Sequence, residues 1–389
     1  MDIANKLKKI AVKLEIGNDS VFGYPIEKQK TYIAHFQDPK NDLQRSYFQY
    51  RCQMKFNKPG ISFLVNLASF PLLLWYLHKS NDSIKDSVED AQSIFIANGM
   101  PCNIIPDVLR EKVGIIETVN DKKENLTKED KRYIRALWRK YPFSFQFVVK
   151  CVLKIRYYSY EIQRVNPENI ITCNEYSFTS SVLTNYCEGK GIKHINVMHG
   201  EKIYYMRDSF FRFHECYVWD DYYCKLFLQM RADQSQFRVA VPPSLQFPED
   251  MPVSKTKDYT YYFGWESGEK LKTIVNAMVA LNNQGLKVAI RPHPRYTDLN
   301  EIRNYAPELE IEDCKSMTIE QSLKRTKNAI SVYSTVLNQA YNNDIGIVID
   351  DISDKVKYEK LEERQYIMIY KQHELLSHIL ADNKGSKWS

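Results

Sequence analysis

The 389-residue sequence contains no CxxC pair; its eight cysteines, at 52, 102, 151, 173, 187, 216, 224 and 314, are scattered. That pattern excludes the paired-thiolate ligand sets of structural zinc, and a disulfide framework is not expected in a chain this long, so reduced cytosolic thiols are the expectation. A secretory leader is not expected either, since MDIANKLKKIAVKLEIG at the start has neither an apolar core nor a cleavage site. No long apolar run is unbroken. The longest, Ile61 to Leu77, is interrupted by Asn66, Ser69 and Pro71 and is slightly short for a bilayer, which predicts a helix buried in the protein. Charge of one sign is also scarce: the net +6 suits anionic ligands or an anionic membrane surface and falls well short of a nucleic-acid-binding balance. Internal repeats and low-complexity tracts are absent. With 44% hydrophobic and 26% charged residues, wholesale disorder is excluded, and the length allows two or three domains with their own cores.

What is present begins with a basic amphipathic stretch. Ile3, Leu7, Ile10 and Leu14 share one helical face, with Lys6, Lys8, Lys9 and Lys13 largely opposite. Such a helix lies on an anionic leaflet or packs on its own domain. Residues 20 to 80 are rich in Tyr and Phe and show no clear period. From Ser93 the rhythm becomes α/β, with strands expected at 93–97, 114–119, 169–173, 193–198 and 216–219 and helices at 145–162 and 180–188. Pro242 to Lys257 is rich in Pro, Ser and charge, and reads as a linker. A second α/β series follows. Its strands are expected at 259–263, 288–290, 309–311, 329–332 and 345–349, with helices over 271–281 and 318–327, the latter capped by Thr318 or Ser316. Gly285 reads as a helix cap, and the chain from Asp382 as frayed. Alternation of this kind implies mostly parallel sheets, here one in each of two domains, 1–244 and 259–389.

The stretch that organises the rest is Leu286-Lys-Val-Ala-Ile-Arg-Pro-His-Pro-Arg295. A buried strand runs into a loop whose two prolines stiffen the backbone and hold His293 between Arg291 and Arg295. Loops at the carboxyl ends of strands are where open α/β sheets bind ligands, and an imidazole flanked by guanidiniums suits a phosphate. Downstream, Ile330-Ser-Val-Tyr-Ser-Thr335 ends a strand at Ser331, Ser334 and Thr335, hydroxyl residues that also open the next helix. These read either as a plain N-cap or as a phosphate cradle. Gly264-Trp-Glu-Ser-Gly-Glu269 lacks a full GxGxxG; Gly264, Trp265 and Glu266 offer close approach and stacking to a nucleotide, or form only a turn.

In the first half, strand ends carry Glu175, His199 and Glu201, each a candidate general base, and each with a structural alternative as a cap or core group. Asp220-Asp221 has no third carboxylate at metal-binding spacing and reads as a helix start.

Pro292-His-Pro-Arg295, with Ser334-Thr335 at a helix start, resembles the HP and S-S/T motifs of bacterial sialyltransferases, above all the lipooligosaccharide sialyltransferases and capsule polysialyltransferases. The resemblance covers mainly residues 259 to 350. It implies a GT-B fold, two Rossmann-like domains facing across a cleft, and metal-independent, inverting transfer of a sugar from a CMP-activated donor. It further implies that His293, Pro294 and the arginines meet the donor phosphate, His293 protonating it as it leaves, and that Ser334 and Thr335 bind the same group. The acidic D/E-D/E-G motif that supplies the family's base is absent; Val197-Met-His-Gly-Glu201 stands where it would fall. That His-Gly resembles teichoic-acid polymerases, which transfer polyol phosphate from CDP-glycerol, and capsule Kdo transferases. The resulting expectation is a glycosyltransferase of bacterial surface polysaccharide (capsule, O-antigen or lipooligosaccharide). It would use no cofactor or metal, a nucleotide-sugar donor such as CMP-sialic acid and a glycan or lipid-linked glycan acceptor. Its place would be the cytoplasm or the inner face of the membrane, without nucleic acid. The alternatives are a CDP-polyol phosphotransferase and a non-catalytic nucleotide-sugar-binding partner of an assembly complex.

Overall fold

The computed structural model describes residues 20–57, 59–79, 91–120, 123–248 and 254–385, so the basic helix expected over 3–14 lies outside the described residues. The chain divides into two compact units, Met1–His199 with Tyr204–Ala240, and Gly200–Ile203 with Val241–Ser389.

The first unit is built on six parallel strands, Ser93–Ile96 (β1), Ile116–Val119 (β2), Asn169–Thr172 (β3), Lys193–Val197 (β4), Glu215–Val218 (β5) and Phe237–Val239 (β6). Their order is β2-β1-β3-β4-β5-β6. Every residue of β1, β3 and β5 is buried, as expected of a parallel sheet covered on both faces. The chain steps from β1 outward to β2 and returns to β3 on the other side, so its winding reverses between β1 and β3. Five of these strands fall within two residues of the sequence expectation. The sixth, β6, is only three residues with an exposed pattern and carried no periodic signal.

The helix Pro59–His78 departs from expectation. It buries Ser69, Leu73, Tyr76 and Leu77, but Phe63, Leu64 and Trp75 are 62%, 65% and 51% exposed. The cause is a composition apolar on all sides, of which one stripe packs inward, near the helix Phe145–Val165. Asn66, which interrupts the apolar run, ties the two together: its Nδ2–H donates to Phe143 O at 2.9 Å and its Oδ1 accepts from Gln146 N–H at 3.0 Å.

The second unit carries Lys257–Tyr262 (β7), Val288–Arg291 (β8), Glu310–Ile311 (β9), Thr326–Ser331 (β10), Gly346–Ile349 (β11) and Glu374–Leu375 (β12), all parallel. The order is β12-β11-β10-β7-β8-β9, so the reversal falls between β7 and β10. Leu271, Ile274, Val275, Met278 and Leu281 form the buried face of the helix Glu269–Asn283, as their spacing predicts. Gly285, at φ 88°, closes that helix: its N–H reaches Asn282 O at 2.9 Å while Leu286 N–H reaches Leu281 O at 3.3 Å, the paired bonds of a glycine-ended helix. Thr318 forms a capping box with Gln321. Of the frayed end expected from Asp382, residues 382–385 are the last part of a helix, Leu376–Gly385, and 386–389 lie outside the described residues. Both units are therefore Rossmann-like, each a six-stranded parallel sheet with one reversal of winding.

Candidate functional site

In the second unit Tyr262 pairs in register with Arg291, and Ile330 with Tyr261. The loops after β7, β8 and β10 therefore leave the sheet at one edge, β8 and β10 separated by β7, or about 10 Å at ordinary strand spacing. That edge is the carboxyl end, beside the reversal, where open α/β sheets take ligands.

The loop after β8 is organised by its own backbone. His293 N–H donates to Thr297 Oγ1 at 2.8 Å, and Arg295 N–H donates to His293 Nδ1 at 3.1 Å. An Nδ1 that accepts must be unprotonated, so the neutral ring carries its proton on Nε2. Partial burial and the Arg295 guanidinium hold the His293 pKa below its ordinary value, with Glu266 acting the other way. The imidazole stacks on Tyr296 (centroids 4.5 Å, planes 30° apart), which stacks on Trp265 (4.2 Å, 20°). Trp265 is 70% exposed, and Pro294 and Arg295 are exposed too. The result is a fixed Nε2–H donor at the end of a three-ring stack beside a free-standing cation.

Several residues expected beside His293 are committed elsewhere. Arg291 is buried, its guanidinium spent on Glu312 at 3.3 Å and Met317 O at 2.8 Å, so only Arg295 of the two arginines faces outward. The buried Ser331 hydroxyl donates to Tyr262 O at 2.9 Å, tying β10 to β7. Glu266 is buried and folds back so that Oε2 accepts from Gly264 N–H at 2.6 Å, with Lys357 Nζ 3.7 Å from Oε1. Ser334 is the N-cap of the helix Thr335–Tyr341, its Oγ accepting from Val336 N–H at 3.3 Å, which is the plain-cap reading. Thr335, next to it, is exposed.

The three candidate bases separate. Glu175, fully buried at the end of β3, accepts at Oε2 from Asn196 Nδ2–H at 3.1 Å, and its Oε1 lies 3.9 Å from His199 Nδ1 at the end of β4. Asn196 also accepts from Asn174 N–H at 2.8 Å, so one amide sets both strand ends. The first unit thus joins Glu175 and His199 into a carboxylate–imidazole pair. Glu201 belongs to the second unit: Asn338 Nδ2–H donates to its carboxylate and Tyr333 OH to its carbonyl, at 3.4 Å for the latter. Its position in the chain had suggested the first. Asp220 caps its helix through Tyr222 N–H at 2.8 Å, as read.

Thr297 and Tyr296 were missed by sequence reasoning, although they lie only four and three residues after His293, within reach of a turn. Glu312 gave no signal, because its partner lies 21 positions away.

No protein-family model and no curated protein matches the sequence. Among solved structures the chain is similar to the kitacinnamycin glycotransferase (9% identity, 70% of this chain and 83% of that one, TM-score 0.44). A wall teichoic acid polymerase, TagF, matches at 9% identity over 87% of this chain and 88% of its own, TM-score 0.42. TarM matches at 11% identity and TM-score 0.38 over 60% of this chain, and the match spans only 53% of TarM.

Proposed function

We propose that the chain is a nucleotide-sugar-dependent glycosyltransferase of GT-B type, inverting and metal-independent, that takes a CMP-activated sugar of the sialic acid class. The observation that carries this reading is His293, whose Nδ1 is occupied by the Arg295 N–H so that Nε2–H is left to donate. The motif resemblance of Pro292-His-Pro-Arg295 and Ser334-Thr335 supports the donor class.

In the proposed reaction the bond from the anomeric carbon to the phosphate oxygen breaks, and a bond from the acceptor oxygen to that carbon forms. Negative charge develops on the departing phosphate, where His293 Nε2–H and Arg295 stabilise it. The stacked Tyr296 and Trp265 offer a face to the base or sugar. We assign the acceptor proton to the first unit's carboxylate–imidazole pair, His199 with Glu175, as the general base. Surface polysaccharide is the acceptor class we assign.

The test is a donor screen scoring nucleotide release from CMP-, CDP-, UDP- and GDP-activated compounds, with His293→Ala alongside. CMP release with a new glycosidic bond is the expected result. Consumption of UDP-sugars alone refutes the donor class. CMP released from CDP-glycerol without a glycosidic bond makes the chain a polyol phosphotransferase, and binding without turnover makes it a non-catalytic partner.

A further inference from the structure

The helix Pro59–His78 is long and apolar enough, by length and composition only, to cross a membrane. Yet it is pinned along one side to the first unit. Asn66 holds one part of it through Phe143 and Gln146, and further along the Arg156 guanidinium lies 4.4 Å from the centre of the Tyr76 ring. Twenty residues of helix extend about 30 Å. Over that length the opposite side shows Phe63, Leu64, Leu67 and Trp75 to the outside.

Beside it opens a groove of about 520 Å³, walled by Phe70, Leu74, Leu77, Trp138 and Phe145. Phe143, on its lip, is 82% exposed. Arg135 and Arg139 line the same groove, one turn apart on the helix Lys128–Lys140. Lys79, its ammonium 5.2 Å from the Trp75 ring centre, and Lys131, which donates to Lys79 O, extend the basic rim. The acids of the Lys128–Lys140 helix are engaged elsewhere: Asp130 is buried and bonded to Ser159 and Tyr186, and Glu129 pairs with Lys190. Apolar rings bordered by cations that pair with no carboxylate among the described residues are complementary to a headgroup layer above acyl chains.

We propose that this face, the helix Pro59–His78 with its arginine-edged groove, seats the protein in the plane of an anionic lipid bilayer. The aromatic and aliphatic side chains enter the headgroup–acyl boundary, while Arg135 and Arg139 meet lipid phosphates. The proposal is independent of the transferase reading, since none of its residues belongs to the His293 or His199 sites.

The full chain is mixed with vesicles of phosphatidylcholine and phosphatidylglycerol in equal parts, and bound protein is separated by sedimentation. Leu64→Ser with Trp75→Ser removes apolar contacts, and Arg135→Glu with Arg139→Glu reverses the rim. All four positions are exposed, and an unchanged melting temperature verifies the fold. Each double variant is expected to lower the partition coefficient at least about tenfold, and brominated acyl chains to quench Trp75 in the unaltered chain. The proposal is overturned if the full chain stays in the supernatant, or if both variants sediment as the full chain does. It is equally overturned if light scattering shows a dimer in solution that both variants dissolve, because a second copy would then cover this face.

Discussion

The backbone N–H of Arg295 donates to Nδ1 of His293 at 3.1 Å. This one bond selects the tautomer of the ring and directs its proton outward, which turns a loop histidine into a defined donor. The chemistry proposed for the second unit follows from it.

Replacing His293 with alanine removes that donor. Turnover should fall by roughly 10²-fold or more, the range for losing a general acid or an oxyanion donor, with the melting temperature unchanged. Single-turnover kinetics of donor cleavage check this; an effect confined to acceptor affinity refutes the role.

Thr297 acts one step back. Its Oγ1 accepts from the His293 N–H, so Thr297→Val should slow turnover about tenfold, with a stability loss of about 1 kcal/mol. Thr297→Ser, which keeps the oxygen, should restore most of the rate. A valine variant as fast as the parent shows that the loop holds its shape without this bond.

The two arginines should behave in opposite ways. Arg291→Met leaves the buried Glu312 carboxylate with only the longer ion pair to Arg325, Nη1 to Oε1 at 3.9 Å, and should destabilise the second unit by about 3 kcal/mol. Arg295→Ala should leave the melting temperature alone and weaken nucleotide binding about tenfold. Thermal melts beside nucleotide titrations separate the two, and equal melting temperatures contradict the assignment of Arg291 to the fold.

A third histidine sets an acid limit on the first unit. His194 is buried between Tyr158 OH at 3.0 Å and Thr184 Oγ1 at 2.9 Å, and burial lowers its pKa from 6.5 to about 3. The unfolded chain therefore takes up a proton near pH 6.5 that the folded ring refuses until about 3. Stability should fall as pH drops below 6.5, at up to about 1.4 kcal/mol per pH unit from this group, and level off near 3. Denaturant melts across that range should lose this slope in His194→Asn; an unchanged slope assigns it to other groups.

Much of this was legible in the sequence because it is local. Val288-Ala-Ile290 and Ile170-Ile171 announce buried strands, and the prolines around His293 announce a stiff loop. What escaped depends on partners far along the chain. Arg291 reads as a free cation until Glu312, 21 residues on, is placed against it. Ser331 reads as a ligand hydroxyl until the neighbouring strand offers Tyr262 O. Glu201 follows a strand of the first unit yet belongs to the second, held by Asn338, 137 positions away. The helix Pro59–His78 was misjudged for a different reason: apolar composition does not say which side the protein covers.

Imidazole ¹⁵N and ¹H resonances of His293, followed while CMP or CDP is added, test the central claim most directly. The free protein should show a protonated Nε2 and an unprotonated Nδ1, and added nucleotide should shift Nε2 and raise the pKa of the ring as phosphate arrives. Nucleotide that binds elsewhere and leaves the His293 resonances unmoved, or that does not bind at all, would contradict the account.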